Sequence, residues 1–299
     1  MNDITTKQAL SFILKMLRPF KWHTIFMCLA SLIWAIGLSL DPYIVKIILD
    51  RITIVPSKNI FEYLATPATF YILMLFLISC INRLYDYFIN IKLFPNLHKR
   101  INDSSFDTLL GQSYHYYQNN FAGNLASKVN RLVDNIPDVI RIIAEVFLNQ
   151  FLSLVIAIYM LWTVNTDFAI VMIIWAVSFI VLSLSFLKKQ INLSTTLSKY
   201  GSIITGKMVD VFSNILSVSL FARGHTERSS MCSASKKANL MEQKIGWVYL
   251  GIFCVYGFSY VIMQGVDLYF LTKGRWQGTI TVGDFALVMG INTAIGSYL

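Results

Sequence analysis

Apolar positions in this chain run in blocks. Five are long: Trp22–Leu40 continuing towards Leu49, Ala65–Ile81, Phe147–Val164, Phe168–Leu187 and Ile245–Leu271. A sixth, Phe285–Leu299, is shorter. About 20 predominantly apolar residues carry a helix across the hydrocarbon of a bilayer, so the blocks predict spans at about 22–49, 65–90, 142–164, 168–187, 245–271 and 283–299. The segments between them, 91–141 and 188–244, have a different pattern. They mix Ile, Leu, Val and Phe with charges at helical spacing, and the chain has no proline after Pro137. Two helices of about 25 residues joined by a turn would fill each segment, each helix roughly 37 Å long at 1.5 Å per residue. The predicted turns are GQSYHYYQNNFAG (111–123) and SNILSVSLFARGH (213–225), the second closing at Gly224. The expected fold is an all-α membrane protein, a six-span bundle with two long helical hairpins on one side. The last span is incomplete at roughly 22 Å of helix.

Composition agrees with a membrane chain. Of 299 residues, 56% are hydrophobic and 14% charged, against about a quarter charged in soluble domains. The first block follows basic residues, as a signal peptide does. It is too long, has no A-x-A site, and is followed by further spans. The net charge of +9 would suit nucleic acid if it formed a patch, but it is distributed by side. Nineteen Lys and Arg lie in the N-terminal segment and the two long loops, and four lie in the alternate loops. Basic loops stay inside, which puts the N-terminus and both hairpins in the cytoplasm. Cys28, Cys80, Cys232 and Cys254 show neither C-x-x-C nor metal spacing.

Candidate chemistry is sparse. GSIITGKM (201–208) is one residue short of a phosphate loop, but Met208 replaces the Mg²⁺-binding hydroxyl and no strand precedes it. Gly201 and Gly206 read instead as small residues where another helix passes closely. The chain contains no ATPase site and no catalytic, cofactor or metal constellation; His23, His98, His115 and His225 form no motif. Thr281 and Asp284 fit a capping box opening the sixth span. Lys46/Asp50, Arg83/Asp86 and Arg141/Glu145 stand three or four apart and read as neutralised pairs. Asp41-Pro42 interrupts the first span beside a cavity that Trp34, Asn149, Gln150, Tyr159, Tyr256 and Gln264 would line, unless these residues bond helix to helix. The turn at 111–123 and Phe221 present aromatics suited to a partner surface.

Four stretches carry a family resemblance. SYHYYQNNFAGNLASKVNRLVDNI (113–136) and NILSVSLFARGHTER (214–228) are similar to the two coupling regions of ATP-binding cassette exporters of the multidrug and lipid-flippase type. LDPYIVKIILDRI (40–52) resembles the end of that family's first span, and GRWQGTITVGDFALVMG (274–290) the entry to its sixth. The resemblance covers essentially the whole chain. It implies the transmembrane half of an ATP-driven exporter, moving a lipid, drug-like or peptide substrate out of the cytoplasm or across the inner membrane. It implies a plasma (bacterial inner) membrane location and a homodimer, or a heterodimer with a related half-transporter. A nucleotide-binding cassette, as a missing domain or separate subunit, would carry ATP and Mg²⁺. The residues implied to touch it are Tyr116, Tyr117, Gln118, Asn119, Phe121, Gly123, Ser217, Leu220 and Phe221. Since no cassette follows the sixth block, the sequence is read as a fragment or a truncated product. The alternatives are an ion-coupled secondary transporter, or a non-transporting assembly protein derived from a truncated exporter.

Overall fold

The computed structural model describes residues 6–54, 60–118 and 122–297. These residues are helical throughout apart from short turns. In chain order the helices are α1 (Thr6–Leu17), α2 (Lys21–Ile54), α3 (Ile60–Tyr85), α4 (Phe94–Leu110), α5 (Tyr114–Gln118), α6 (Ala122–Arg141), α7 (Asn149–Val164), α8 (Thr166–Ser213), α9 (Ile215–Leu220), α10 (Gly224–Trp276) and α11 (Val282–Gly296). Among the described residues, five helical runs are long and apolar enough to cross a membrane: Leu10–Ile54, Ile60–Leu110, Leu125–Val164, Thr166–Ser213 and Gly224–Trp276. The shorter α11 is also apolar. α8 and α10 continue unbroken for 48 and 53 residues, roughly 72 and 80 Å of rod at 1.5 Å per residue.

Wide π-helical turns at Asp86–Leu93 and Ile142–Leu148 interrupt the second and third runs. The first has a local cause. Pro95 cannot donate to the carbonyl four residues back and its ring crowds that carbonyl. The preceding turn widens, and Phe94 N–H reaches Ile89 O, five residues back. No comparable cause is visible for the second.

The chain divides into two units. One holds residues 1–166 with 271–298, the other 167–270. In the first, α2 packs against α3, α7 and α11, and α4 against α6. Ile89, Leu93, Leu97 and Ile101 recur every fourth residue and are fully buried, with Met27, Ile136 and Ile140 among their neighbours in one cluster. That stripe runs unbroken from the π-helical turn into α4. The apolar stripe thus joins span to hairpin, each such side chain contributing about 1.5–3 kcal/mol when buried from water. In the second unit, α8 and α10 meet through aromatic rings. Phe179 and Tyr256 lie 4.4 Å apart between centroids, and Trp175 is 6.4 Å from Tyr260. Trp175 Nε1 donates to Ser259 Oγ at 3.3 Å.

Two glycine expectations change. A Cβ on Gly201 or Gly206 would meet nothing within 4 Å, so among the described residues of this chain no side chain or backbone packs against either glycine. The stretch 201–208 lies inside α8 rather than in a turn, and Lys207 Nζ donates to Ser230 O at 3.3 Å. The close approaches between helices are at Gly283, Gly290 and Gly37, on the faces around α2, and Gly274 is crowded locally by Ile280 just beyond the end of α10. The second turn is closed by Ala222, at φ +50°, while Gly224 begins α10.

Candidate functional site: a membrane groove and two helical tips

Along α2, small and polar residues replace bulky ones at intervals. A groove of about 990 Å³ opens there between α2, α3, the start of α7, and α11. Its walls are largely aliphatic: Leu38, Val45, Met74, Leu75, Ile78 and Met289. Gly37 lets Ile78 pack against α2, since a Cβ there would sit 2.7 Å from Ile78 Cδ1. Gly290 does the same for Pro42, at 2.8 Å from Pro42 Cβ. Polar groups are few and mostly engaged. Trp34 Nε1 donates to Asn82 Oδ1 at 2.7 Å, and Tyr71 OH donates to Asp41 Oδ1 at 2.7 Å.

A smaller polar recess of about 310 Å³ adjoins the Trp34–Asn82 end and is lined by Tyr85, Asp86, Asn90, Arg141 and Glu145. Here the two π-helical turns are tied together. Tyr85, only 5% exposed, donates its hydroxyl to Glu145, and Arg141 Nη2 donates to Asn90 Oδ1 at 3.1 Å. Arg141 also pairs with Glu145 at 3.5 Å, and Arg83 with Asp86 at 3.4 Å, so both expected pairs form.

The third pair does not form as read. Lys46 forms its ion pair with Asp284 of α11, and Asp50 instead accepts the Gly283 backbone N–H at 2.9 Å. The capping box is present. Thr281 Oγ1 accepts from Asp284 N at 3.1 Å and Asp284 Oδ2 accepts from Thr281 N at 2.9 Å. One carboxylate therefore caps α11 and holds α2. Local spacing pointed to Asp50 because it stands one turn from Lys46; no pattern within a single helix could name a partner 238 residues away.

The other cavity candidates separate. Trp34 and Asn149 line the groove. Gln150 is half-buried on α7, and Tyr159 on the same helix is 70% exposed. In the second unit Tyr256 is buried, with Ser183 Oγ 2.6 Å from its hydroxyl, and Gln264 Nε2 donates to Tyr260 OH at 2.6 Å. Sequence reasoning missed Asp41 and Tyr71 as a bonded pair.

The tip residues lie on two short helices. α5 carries Tyr116, Tyr117 and Gln118. The Tyr116 and Tyr117 rings meet edge to face at 5.8 Å, and Tyr117 OH donates to Leu109 O, tying the tip back to α4. Asn119 and Phe121 lie outside the described residues; Gly123 is in the first turn of α6. α9 carries Ser217 and Leu220, followed by Phe221. Leu216, Leu220 and Phe221 are all more than 70% exposed.

The family model for the ABC transporter transmembrane region matches residues 24–298. The chain belongs to that family. It is a multi-pass integral membrane protein and the membrane domain of a transporter. It is also similar to an uncharacterized ABC transporter ATP-binding protein of Haemophilus influenzae, 27% identical over 119 residues. That stretch is 40% of this ABC membrane domain and 19% of the relative's length.

Proposed function

We propose that this chain is the transmembrane half of an ATP-driven exporter, working as a homodimer or with a related half-transporter. Its motor is a nucleotide-binding cassette, on a separate subunit or on the remainder of a longer polypeptide. ATP and Mg²⁺ belong to that cassette. The observation that carries this reading is α9, a short helix with Leu216, Leu220 and Phe221 exposed, at the end of two rods of 48 and 53 residues. Apolar side chains presented on a tip beyond the spans suit a groove on a partner. Rods of this length transmit a push at the tip to the membrane as rigid-body motion.

The basic N-terminal segment and basic hairpins favour a cytoplasmic location for both tips, and the family resemblance favours a plasma (bacterial inner) membrane. The groove along α2 then lies on the substrate path. Its aliphatic walls suit the apolar part of a lipid, a drug-like molecule or a peptide.

The test is recruitment. The tagged chain, purified from its native membranes, is expected to bring a cassette with Mg²⁺-dependent ATP hydrolysis. Phe221→Glu is expected to remove that activity while the chain elutes unchanged, because Phe221 is exposed. No cassette, or a cassette indifferent to both Phe221→Glu and Tyr117→Glu, would overturn the reading. A cysteine replacing Ser217 is expected to react with a membrane-impermeant maleimide only after the cells are opened.

A further inference from the structure

We propose that the groove along α2 is selective for amphipathic organic cations, with the Asp41 carboxylate as its point of charge recognition and Tyr71 holding that carboxylate in place. The proposal rests on reading the groove as part of the substrate path.

The carboxylates neighbouring the groove and the π-helical turns are mostly balanced. Asp86 has Arg83, Glu145 has Arg141 and Asp284 has Lys46 within ion-pair distance. Asp50 takes the Gly283 N–H at the start of α11, where the helix end is electropositive. Asp41 differs. Its bonded partner is a neutral phenol, at 2.7 Å, and among the described residues no cation stands within ion-pair distance of it. Lys46, the cation one turn further along α2, is taken by Asp284.

Asp41 is also the charged residue of the groove lining, whose other members are apolar, small or neutral polar. It lies well inside α2, within the apolar run Leu10–Ile54. An ionisable side chain there, facing a cavity and lacking a counter-charge, calls for a partner. The groove supplies the rest of the recognition: aliphatic walls, the indole of Trp34 and a volume of about 990 Å³. A molecule with an apolar body and one positive charge satisfies both the walls and Asp41. An anion of the same shape meets an unbalanced carboxylate and is rejected by it.

The test uses two ions of nearly equal size and shape, tetraphenylphosphonium and tetraphenylborate. Their binding to the purified chain in phospholipid nanodiscs is measured by calorimetry against empty nanodiscs. The expected result is saturable binding of the phosphonium at least tenfold tighter than the borate. Asp41→Asn is expected to weaken the phosphonium at least tenfold, and Asp41→Glu to recover most of it. Tyr71→Phe is expected to give a smaller loss, because the charge stays while its anchor goes.

Equal binding of the two ions would overturn the proposal. So would an Asp41→Asn chain that binds the cation like the parent, or a loss that Asp41→Glu fails to recover although both variants elute as the parent does. A chain that binds the phosphonium through Asp41 but recruits no cassette keeps this site and overturns the exporter reading. A chain that recruits a cassette and ignores the sign of the ion does the reverse.

Discussion

Gly283 rests directly on the backbone of Lys46: a Cβ at Gly283 would lie 2.4 Å from the Lys46 carbonyl oxygen and 2.6 Å from Asp50 Cγ. The obstruction is backbone, so no side-chain rotation relieves it. Gly283→Ala must push α11 off α2, and overpacking of this kind costs about 1–3 kcal/mol. Gly201 and Gly206, with open space around them inside α8, should respond oppositely. Alanine there gains helix propensity of up to about 1 kcal/mol. Thermal unfolding of the three variants in one detergent gives the ordering, with Gly283→Ala lowest and the other two at or above the parent.

Asp284 caps α11 and pairs with Lys46 at once. Asp284→Ala therefore removes two interactions, and Lys46→Met one. Their side chains are 9% and 23% exposed, so the remaining charge is poorly hydrated in either single variant. Breaking a buried pair costs about 3–5 kcal/mol, and the Lys46 end, being more open, should fall below that range. The double variant should be more stable than the sum of the single losses predicts, with a coupling energy above about 1 kcal/mol. A double-mutant cycle on thermal unfolding measures it. Additive losses would mean that the ion pair contributes nothing beyond the cap.

The same region shows where sequence reading succeeds and where it stops. Spans and rods were legible because each is a periodic property of one contiguous stretch, and so was the Thr281–Asp284 cap, a pattern four residues long. Lys46–Asp284 was not legible. It depends on how two helices meet, and Asp50 offered a closer decoy in sequence. The groove was half legible: Trp34 and Asn149 reach it, whereas Tyr159 on the same helix as Asn149 is largely exposed. Hydropathy alone cannot separate an aromatic facing a cavity from one facing lipid. The turn near 213–225 was placed by its glycine, yet the left-handed residue is Ala222, because the preference for glycine at such positions is statistical rather than obligatory.

The two π-helical turns are joined by Tyr85 and Glu145. Tyr85→Phe removes that bond and leaves Glu145 with Arg141. Glu145 opens on the polar recess, where water can take the place of the phenol hydroxyl, so the expected loss is that of one net hydrogen bond, about 0.5–1.5 kcal/mol. It should be local. Hydrogen exchange followed by mass spectrometry is expected to show faster exchange across 86–93 and 142–148, where the ladder is already widened, and little change in α8. Uniform acceleration along the chain would mean that the bond supports global stability instead.

α9 ends in a Schellman arrangement. Arg223 N–H donates to Val218 O at 2.9 Å and Ala222 N–H to Ser219 O at 3.2 Å. The residue that must turn left-handed is Ala222, at φ +50°. A Cβ in that conformation costs roughly 1–2 kcal/mol, which glycine avoids. Glycine's greater freedom in the unfolded chain offsets part of the gain. Ala222→Gly should therefore stabilise the end of α9 by somewhat under about 1 kcal/mol, with slower exchange of the Ala222 and Arg223 amides as the readout. Ala222→Val should do the opposite, since a β-branched side chain is least tolerated there. The comparison also bears on the tip itself. Phe221 immediately precedes this turn, and fixing the turn fixes the direction in which its exposed ring points. If a partner binds Phe221 as proposed, Ala222→Gly should leave its affinity unchanged or raise it, and Ala222→Val should lower it.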